Sequence, residues 1–322
     1  MSFFIIYSIN NMKQNSFPVF ILYLFLFLMI LSFFYFSNKN RKSIENFMTP
    51  SLPVSETYHV PYNIFFYWND LHNSPIIKHF INHIQRKFQN TPWKVFFVNK
   101  QNLSQFVSPS FLQKYGQLGP VRFSDFLRLQ LLYDYGGVWM DISTIIIKPY
   151  FLDEFRQKLM KFKCDILLFE FKEHTIDPKF PYLENWFFMA PKHSIFIQDL
   201  KYYFDKAFSM GFYNFKKKIL MNSSLDLSNT IKYGKSTYHM QHALIHYMLL
   251  KNPFRYHLCI ENASHSMFKA QNHVSWNHKK LINYIINNSD WNNYYAVKMI
   301  GHNRKAIQGP FIEPFIYFLK KI

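Results

Sequence analysis

The feature that most constrains this chain is an uninterrupted apolar segment near its start. Residues 17–36 read FPVFILYLFLFLMILSFFYF and contain no charged side chain. About twenty residues in a helix rise about 30 Å, which matches the hydrocarbon core of a bilayer. A cleaved signal peptide would have a shorter apolar region followed by small residues, whereas this segment ends in Phe33, Phe34, Tyr35 and Phe36. The sequence therefore predicts a transmembrane anchor at 17–36, preceded by a tail at 1–16.

The charges beside the anchor predict its orientation. Lys13 precedes the segment, whereas Lys39, Arg41 and Lys42 follow it. Basic residues tend to stay on the cytoplasmic side, so a single-pass membrane protein with a cytoplasmic C-terminal part is expected. A lumenal, Golgi-type arrangement remains the alternative.

Composition excludes some classes of function. The chain has 322 residues, of which 49% are hydrophobic, so it can bury a sizeable core. Its net charge of +18 favours anionic partners. The basic residues are scattered rather than gathered on one face, so no nucleic-acid partner is expected. The two cysteines, Cys164 and Cys259, are interpreted as buried free thiols, although a lumenal domain could pair them.

The remaining chain divides into a stem and one domain. Residues 37–61 carry charges, hydroxyl side chains and prolines without apolar periodicity, which is typical of a linker. Residues 62–322 then alternate between short apolar runs and segments with helical periodicity. Strands are predicted at 64–68, 93–98, 138–140, 165–169 and 186–189, and helices at 75–88, 121–135, 194–208 and 236–250. This order indicates an α/β fold with a parallel sheet, whose ligands bind beyond the carboxyl ends of the strands.

The most informative segment is residues 122–144, RFSDFLRLQLLYDYGGVWMDIST. Arg122, Asp125 and Arg128 are spaced three apart and share one face of the predicted helix, where they could present charge to a sugar or a phosphate. An ordinary surface row of ion pairs has the same spacing. Gly136 and the glycine after it end the helix, and the strand that follows places Asp141 at its carboxyl end.

This segment resembles DXD-type sugar transferases, in particular the capsular polysaccharide synthesis protein family, also described as the glycosyltransferase sugar-binding-region family. The matching positions are Ser124, Asp125, Arg128, Tyr133, Gly136, Gly137, Trp139 and Asp141. Weaker similarity extends over 64–68, 184–190 and 297–304. The resemblance implies a GT-A-like, Rossmann-like nucleotide-sugar-binding domain.

The resemblance also implies roles for individual residues. Asp125 and Arg128 would hold the donor sugar, assisted by Arg122, and Asp141 would coordinate Mn²⁺ or Mg²⁺ against the donor's diphosphate. This chain departs from the DXD pattern because its third position is Ser143, a weaker ligand than a carboxylate. A metal site completed by phosphates and waters is expected. A metal-independent enzyme that relies on basic residues and an inactive homologue are the alternatives.

Further candidate residues lie outside this segment. Near the C-terminus, Lys298 and Arg304 could close over the diphosphate, and His302 is a possible further metal ligand. Without the resemblance, these residues would be ordinary solvated side chains of a basic protein. Trp68 and Asp70 follow the first strand, where such enzymes hold the nucleotide, although core packing would equally explain Trp68.

The acceptor side is less defined by the sequence. Glu184 is a candidate for catalytic assistance and Asn185 for acceptor contact, because they precede an apolar strand. His239, His242 and His246 share a helical face, but that run contains no acidic partner, so we do not predict a metal site there.

The anchor and the resemblance together imply a membrane-anchored glycosyltransferase, hexosyltransferase-like and retaining, for polysaccharide biosynthesis. Its partners would be a nucleotide-sugar donor, a glycan or glycolipid acceptor and the membrane. One alternative is a degenerate homologue that only binds nucleotide sugars or glycans. Another is a membrane protein whose positive charge binds acidic lipid or nucleic acid.

Overall fold

A computed structural model describes residues 58–70, 74–221 and 237–322. They belong to a unit that extends from Tyr58 to Ile322. The predicted tail and anchor, and the stem up to residue 57, lie outside the described residues. Within the described part of the chain, no helix is both long enough and apolar enough to cross a bilayer.

A six-stranded sheet in the order β2-β1-β3-β6-β5-β7 forms the centre of the fold, and β4 and β8 form a separate two-stranded sheet. The strands are β1 (Asn63–Tyr67), β2 (Lys94–Val98), β3 (Gly137–Met140), β4 (Thr144–Ile146), β5 (Ile166–Glu170), β6 (Leu183–Ala190), β7 (Leu258–Asn262) and β8 (Ala296–Lys298). The five strands predicted from the sequence are all present, with bounds shifted by up to three residues.

The prediction of a parallel sheet is wrong for one strand. β1 pairs in parallel with β2 and with β3, and β5 pairs in parallel with β7. β6 runs antiparallel to both of its neighbours, β3 and β5. Because β6 is buried on both faces, its apolar sequence has no alternation that distinguishes a reversed strand from a parallel one. The fold is therefore mixed α/β.

Alternate residues of the central strands supply two separate cores. Phe66, Met140 and Phe187 point to one face of the sheet, whereas Phe65 and Trp139 point to the other. This alternation follows from the two-residue period of a strand. The sheet therefore lies between two layers of helices.

The helices are α1 (Pro75–Phe88), α2 (Pro109–Tyr115), α3 (Pro120–Tyr135), α4 (Phe151–Phe162), α5 (Ile195–Ser209), α6 (Phe212–Phe215), α7 (Met240–Lys251), α8 (Lys269–His273), α9 (His278–Asn287), α10 (Gly301–Lys305) and α11 (Ile312–Lys321). Helices α1, α4, α9 and α11 pack on one face, and α2, α3, α5 and α7 on the other. The four predicted helices are confirmed. The hydroxyl of Ser194 caps α5 by accepting from the Ile197 amide.

The turn between α3 and β3 needs both glycines. Gly136 has φ 63° and Gly137 has φ 102°, which are conformations that L side chains rarely adopt. A Cβ atom on Gly137 would lie 2.4 Å from the carbonyl oxygen of Asn63 on β1. The two glycines thus let α3 reverse directly into β3, which Asp141 follows.

The prediction of free thiols is wrong. Cys164 and Cys259 form a disulfide, with Cα atoms 5.8 Å apart. Cys164 precedes β5 and Cys259 lies on β7, and the two strands are paired. A separation of 95 residues gave the sequence no sign of this proximity.

Candidate active site

Asp141 lies at the carboxyl end of β3, as the sequence predicts. Its backbone amide donates to the Trp186 carbonyl on β6 at 2.9 Å, and its carbonyl accepts from the Thr144 hydroxyl at 2.8 Å. The Asp141 side chain is 32% exposed. Its backbone is thus fixed while its carboxylate remains reachable from solvent.

Asp125 and its two arginines form a buried network rather than a surface row. Arg122 Nη1 lies 3.2 Å from Asp125 Oδ2, and Arg128 Nη1 lies 3.1 Å from Asp125 Oδ1. Burial raises the pKa of Asp125, whereas Arg128 and Arg122 act in the opposite direction. Arg128 also extends Nη2 to 3.7 Å from Asp141 Oδ1. Helix α3 is thereby connected to the end of β3.

Gln241 on α7 organises this network, and sequence reasoning missed it. Its Nε2 donates to the carbonyl oxygen of Asp125 at 2.7 Å. Its Oε1 accepts from Arg128 Nη1 and from Asn185 Nδ2, both at 2.9 Å. The available signal was a polar residue within a helix that is buried almost all round.

Lys298 reaches Asp141 through the small sheet. β8 pairs with β4 so that Lys298 lies opposite Thr144. The Lys298 ammonium lies 3.3 Å from Asp141 Oδ2, 3.4 Å from Ser143 Oγ and 2.7 Å from the Met299 carbonyl oxygen. Burial lowers the pKa of Lys298, whereas the Asp141 carboxylate acts to raise it. A long-range strand pairing therefore brings a buried cation to the predicted metal position.

The predicted metal ligands Asp141, Ser143 and His302 do not fit a divalent cation as they stand. The Ser143 hydroxyl donates to the Met299 carbonyl at 2.9 Å and accepts from Lys298 Nζ at 3.4 Å. His302 is exposed and stacks on His278, with ring centroids 5.1 Å apart. Across the described residues, no three His, Cys, Asp or Glu side chains are grouped to hold a metal. Mg²⁺ and Mn²⁺ prefer several oxygen ligands, and a single carboxylate flanked by two cations does not supply them.

Arg304 and Trp68 lie together beside the carboxylates. The Arg304 guanidinium lies 5.3 Å from the centre of the Trp68 ring. Burial lowers the pKa of Arg304, and the Asp141 carboxylate opposes this, so both groups share one electrostatic environment. The Trp68 indole donates to Ser74 Oγ at 2.8 Å, and the Ser74 side chain makes no capping hydrogen bond to α1. Asp70 is half-buried two residues further on.

Tyr238 is a further residue that the sequence did not indicate. It lies in the 3₁₀ turn Thr237–His239 that precedes α7, and its side chain is 59% exposed. Partial desolvation raises the pKa of Tyr238, and the carboxylates of Asp141 and Asp125 act in the same direction. Tyr238 is therefore within electrostatic range of both carboxylates.

Glu184 precedes Asn185 on β6, and its carboxylate also approaches α7. Glu184 Oε2 lies 3.6 Å from His242 Nε2. His242 stacks on Tyr182, whose hydroxyl lies 2.9 Å from His239 Nδ1. The histidine face that the sequence revealed thus contacts one carboxylate and a tyrosine. This Glu184–His242 pair offers a carboxylate and an imidazole for proton transfer.

The fold and the site define a mixed α/β protein with a cluster of charged side chains where β3 ends. Four cationic side chains, Arg122, Arg128, Lys298 and Arg304, surround the carboxylates of Asp125 and Asp141. Such an excess of positive charge suits a phosphorylated ligand.

The sequence model of the capsular polysaccharide synthesis protein family matches residues 31–289. The chain belongs to this family. No curated protein matches the sequence.

Three glycosyltransferase structures are similar at low levels. The galactosyltransferase LgtC in complex with donor and acceptor sugar analogs is 10% identical, with 81% of this chain and 96% of that chain covered and a TM-score of 0.43. An active-site mutant of LgtC is 10% identical, with 80% and 95% covered and a TM-score of 0.39. The PaToxG glycosyltransferase is 15% identical, with 61% and 88% covered and a TM-score of 0.30. Values this low carry no argument about the chemistry of this chain.

Proposed function

We propose that this protein is a glycosyltransferase that moves a sugar from a nucleotide-sugar donor to a polysaccharide, glycolipid or glycoprotein acceptor. The observation that carries the proposal is the joined network of Asp125, Arg128, Asp141 and Lys298 at the end of β3. Membership of a capsular polysaccharide synthesis family supports the same reaction class.

The network has the charge that donor cleavage requires. When the bond between the sugar and the diphosphate breaks, negative charge develops on the leaving phosphate. In this proposal Lys298 and Arg304 stabilise that charge, and Trp68 packs against the nucleotide base. Asp125, held by Arg122 and Arg128, accepts hydrogen bonds from the donor sugar. Each of these roles uses a side chain whose position is fixed by other contacts.

The acceptor lies against β6 and α7 in this proposal. Asn185 is held by Gln241 and can orient a hydroxyl group, while Glu184 is the candidate to take its proton. The retaining outcome and a hexosyl donor remain part of the proposal, and NMR assignment of the product linkage tests both. Membrane attachment through residues 17–36 would place the reaction near a lipid-linked or surface acceptor.

The second candidate is a degenerate homologue that binds a nucleotide sugar or glycan without turnover. Ser143 favours it, because a hydroxyl replaces the second carboxylate of the DXD motif. The two candidates differ in one observable, since only the enzyme consumes its donor.

The test is turnover of UDP- and GDP-sugars by the purified full-length protein. We expect one donor to be hydrolysed or transferred, and we expect Asp141→Asn to lower that rate at least a hundredfold. Asp290→Asn serves as the matched control, because Asp290 is exposed and lies away from the cluster. Donor binding without any turnover would favour the degenerate homologue. Equal turnover in Asp141→Asn and wild type would remove Asp141 from the site.

A further inference from the structure

The space between the first and third positions of the DXD-like motif holds a lysine side chain. Lys298 Nζ lies 3.3 Å from Asp141 Oδ2 and 3.4 Å from Ser143 Oγ. An ammonium ion therefore stands between the two side chains predicted to ligate a metal. Only the family resemblance predicts a divalent metal ion at this position.

The fold fixes this ammonium in place. Lys298 is only 4% exposed and ends β8, which is paired with β4. Its backbone amide donates to the Met267 carbonyl at 3.0 Å, and its Nζ donates to the Met299 carbonyl at 2.7 Å. The side chain also passes 5.9 Å from the Trp186 ring centre. Moving it out of the way would disrupt several buried contacts at once.

A dication would meet two positive charges at this point. Asp141 uses Oδ2 for Lys298 and Oδ1 for Arg128, whose Nη2 is 3.7 Å away. The neighbouring carboxylate, Asp125, is already paired with two arginines. Like charges only a few ångströms apart repel strongly unless water screens them, and Lys298 and Arg128 are buried. The donor set thus favours the resident cation over a bound metal.

The charges also suffice for a diphosphate. Asp141 is shared by Lys298 and Arg128, so the three groups together carry a net positive charge. Arg304 adds a second cation on the side of Trp68. A metal held by acidic ligands also leaves an excess of positive charge beside the carboxylates. Lys298 and Arg128 beside Asp141 produce the same electrostatic effect.

We propose that Lys298 supplies the fixed positive charge against the donor's diphosphate, so that this protein binds nucleoside diphosphates without a divalent metal. This inference rests on the proposed function, because it assumes a nucleotide-sugar donor. Of the alternatives that the sequence left open, it favours a metal-independent enzyme that relies on basic residues. This proposal also explains the serine at position 143, because a second carboxylate is not needed to bind a metal where a lysine supplies the positive charge.

Calorimetric titration of UDP and GDP into the full-length protein, in EDTA and in Mn²⁺, tests the inference. We expect one nucleotide to bind with the same Kd in both solutions. Lys298→Met should weaken that binding at least tenfold in EDTA, and Mn²⁺ should not restore it. Lys305→Met, which removes an exposed lysine of α10, is the matched control and should bind like wild type.

The outcomes separate this inference from the proposed function. Binding that appears only with Mn²⁺ would overturn the lysine assignment while supporting a nucleotide-sugar enzyme. Absence of UDP and GDP binding in both solutions would count against both proposals. Electron paramagnetic resonance of Mn²⁺ with wild-type protein and nucleotide gives a second readout that needs no variant. We expect the spectrum of free and nucleotide-bound Mn²⁺ only, and a protein-dependent signal at stoichiometric Mn²⁺ would contradict the inference.

Discussion

Gly137 begins β3, and a side chain there would collide with Asn63 on β1. Its φ of 102° and the 2.4 Å distance from an added Cβ to the Asn63 carbonyl oxygen are two independent obstacles to a side chain. We therefore expect Gly137→Ala to lower the free energy of unfolding by more than about 2 kcal/mol, from backbone strain and overpacking together. Urea denaturation measures this change.

Substitution of Gly309 is a control that distinguishes backbone strain from overpacking. Gly309 also has a positive φ, 56°, but an added Cβ would meet no atom within 4 Å. Gly309→Ala should therefore cost only about 1 kcal/mol, from the backbone conformation alone. An equal loss in both variants would mean that the contact with Asn63 contributes nothing.

The Arg128 side chain contacts three members of the network, Asp125, Gln241 and Asp141. A lysine has one nitrogen in place of the planar guanidinium and cannot serve all three partners. We expect Arg128→Lys to lower donor turnover at least tenfold although the charge is kept. Arg86→Lys is the control, because Arg86 is exposed and donates to one carbonyl, that of Leu319. Unchanged turnover in Arg128→Lys would show that charge alone matters at this position.

His83 joins three elements on the face of the sheet opposite α3. From α1, its Nε2 lies 2.9 Å from the Ile146 carbonyl on β4, and its Nδ1 lies 3.1 Å from the Leu319 carbonyl on α11. Burial lowers the pKa of His83 to about 4, with Lys87 and Arg86 acting in the same direction and the two carbonyls opposing. The imidazole therefore stays neutral in the folded protein at neutral pH, and its single N–H donates to one of the two carbonyls.

This pKa makes stability depend on pH. Between pH 6.5, the ordinary pKa of a histidine, and about pH 4, the unfolded chain binds a proton at His83 that the folded chain does not. Stability is then present above pH 6.5 and is lost on acidification towards pH 4, by up to about 3 kcal/mol. Thermal unfolding of wild type and His83→Gln at pH 7 and pH 5 measures the slope. The slope should be smaller in His83→Gln and unchanged in His265→Gln, which replaces an exposed histidine. Equal slopes in all three proteins would assign the acid loss elsewhere.

The elements differ in how far the sequence could predict them. Helix α3, strand β3 and Asp141 were predictable because periodicity, two glycines and a terminal carboxylate lie within one short segment. The reversal of β6 was not, because a strand buried on both faces has no polar alternation. The position of Lys298 depends on the pairing of β8 with β4, which are 154 positions apart at Thr144 and Lys298. Gln241 reaches Asp125 in the same way, through the packing of α7 rather than through any local pattern.

At the scale of the whole molecule, the disulfide and the charges beside the anchor predict different compartments. The basic residues after residue 36 favour a cytoplasmic domain. A disulfide between Cys164 and Cys259 persists in oxidising compartments and is rarely kept in the cytosol. We propose that the domain faces the oxidising side, which is the lumenal alternative. Denaturing whole cells in a maleimide, with and without prior reduction, tests this, because the two buried cysteines become reachable only in the unfolded chain. Labelling without any reductant would mean that the thiols are reduced, as expected of a cytoplasmic domain.

The same disulfide predicts a stability effect. Cys164 and Cys259 close a loop of 95 residues. The chain-entropy model assigns such a link a stabilisation of about 4–5 kcal/mol, and removal of native disulfides costs about 2–5 kcal/mol in measurements. Both sulfur atoms lie in the core that also contains Phe155 and Leu167, so breaking the link leaves two small buried groups and no charge. Dithiothreitol should therefore lower the Tm of the wild type, whereas it should leave the double variant Cys164→Ala, Cys259→Ala unaffected. That variant should unfold near the temperature of the reduced wild type, because both lack the link and differ only in two buried sulfur atoms. If the wild type and the double variant melted at the same temperature without dithiothreitol, the two thiols would be unpaired in the protein, and they would no longer support an oxidising compartment.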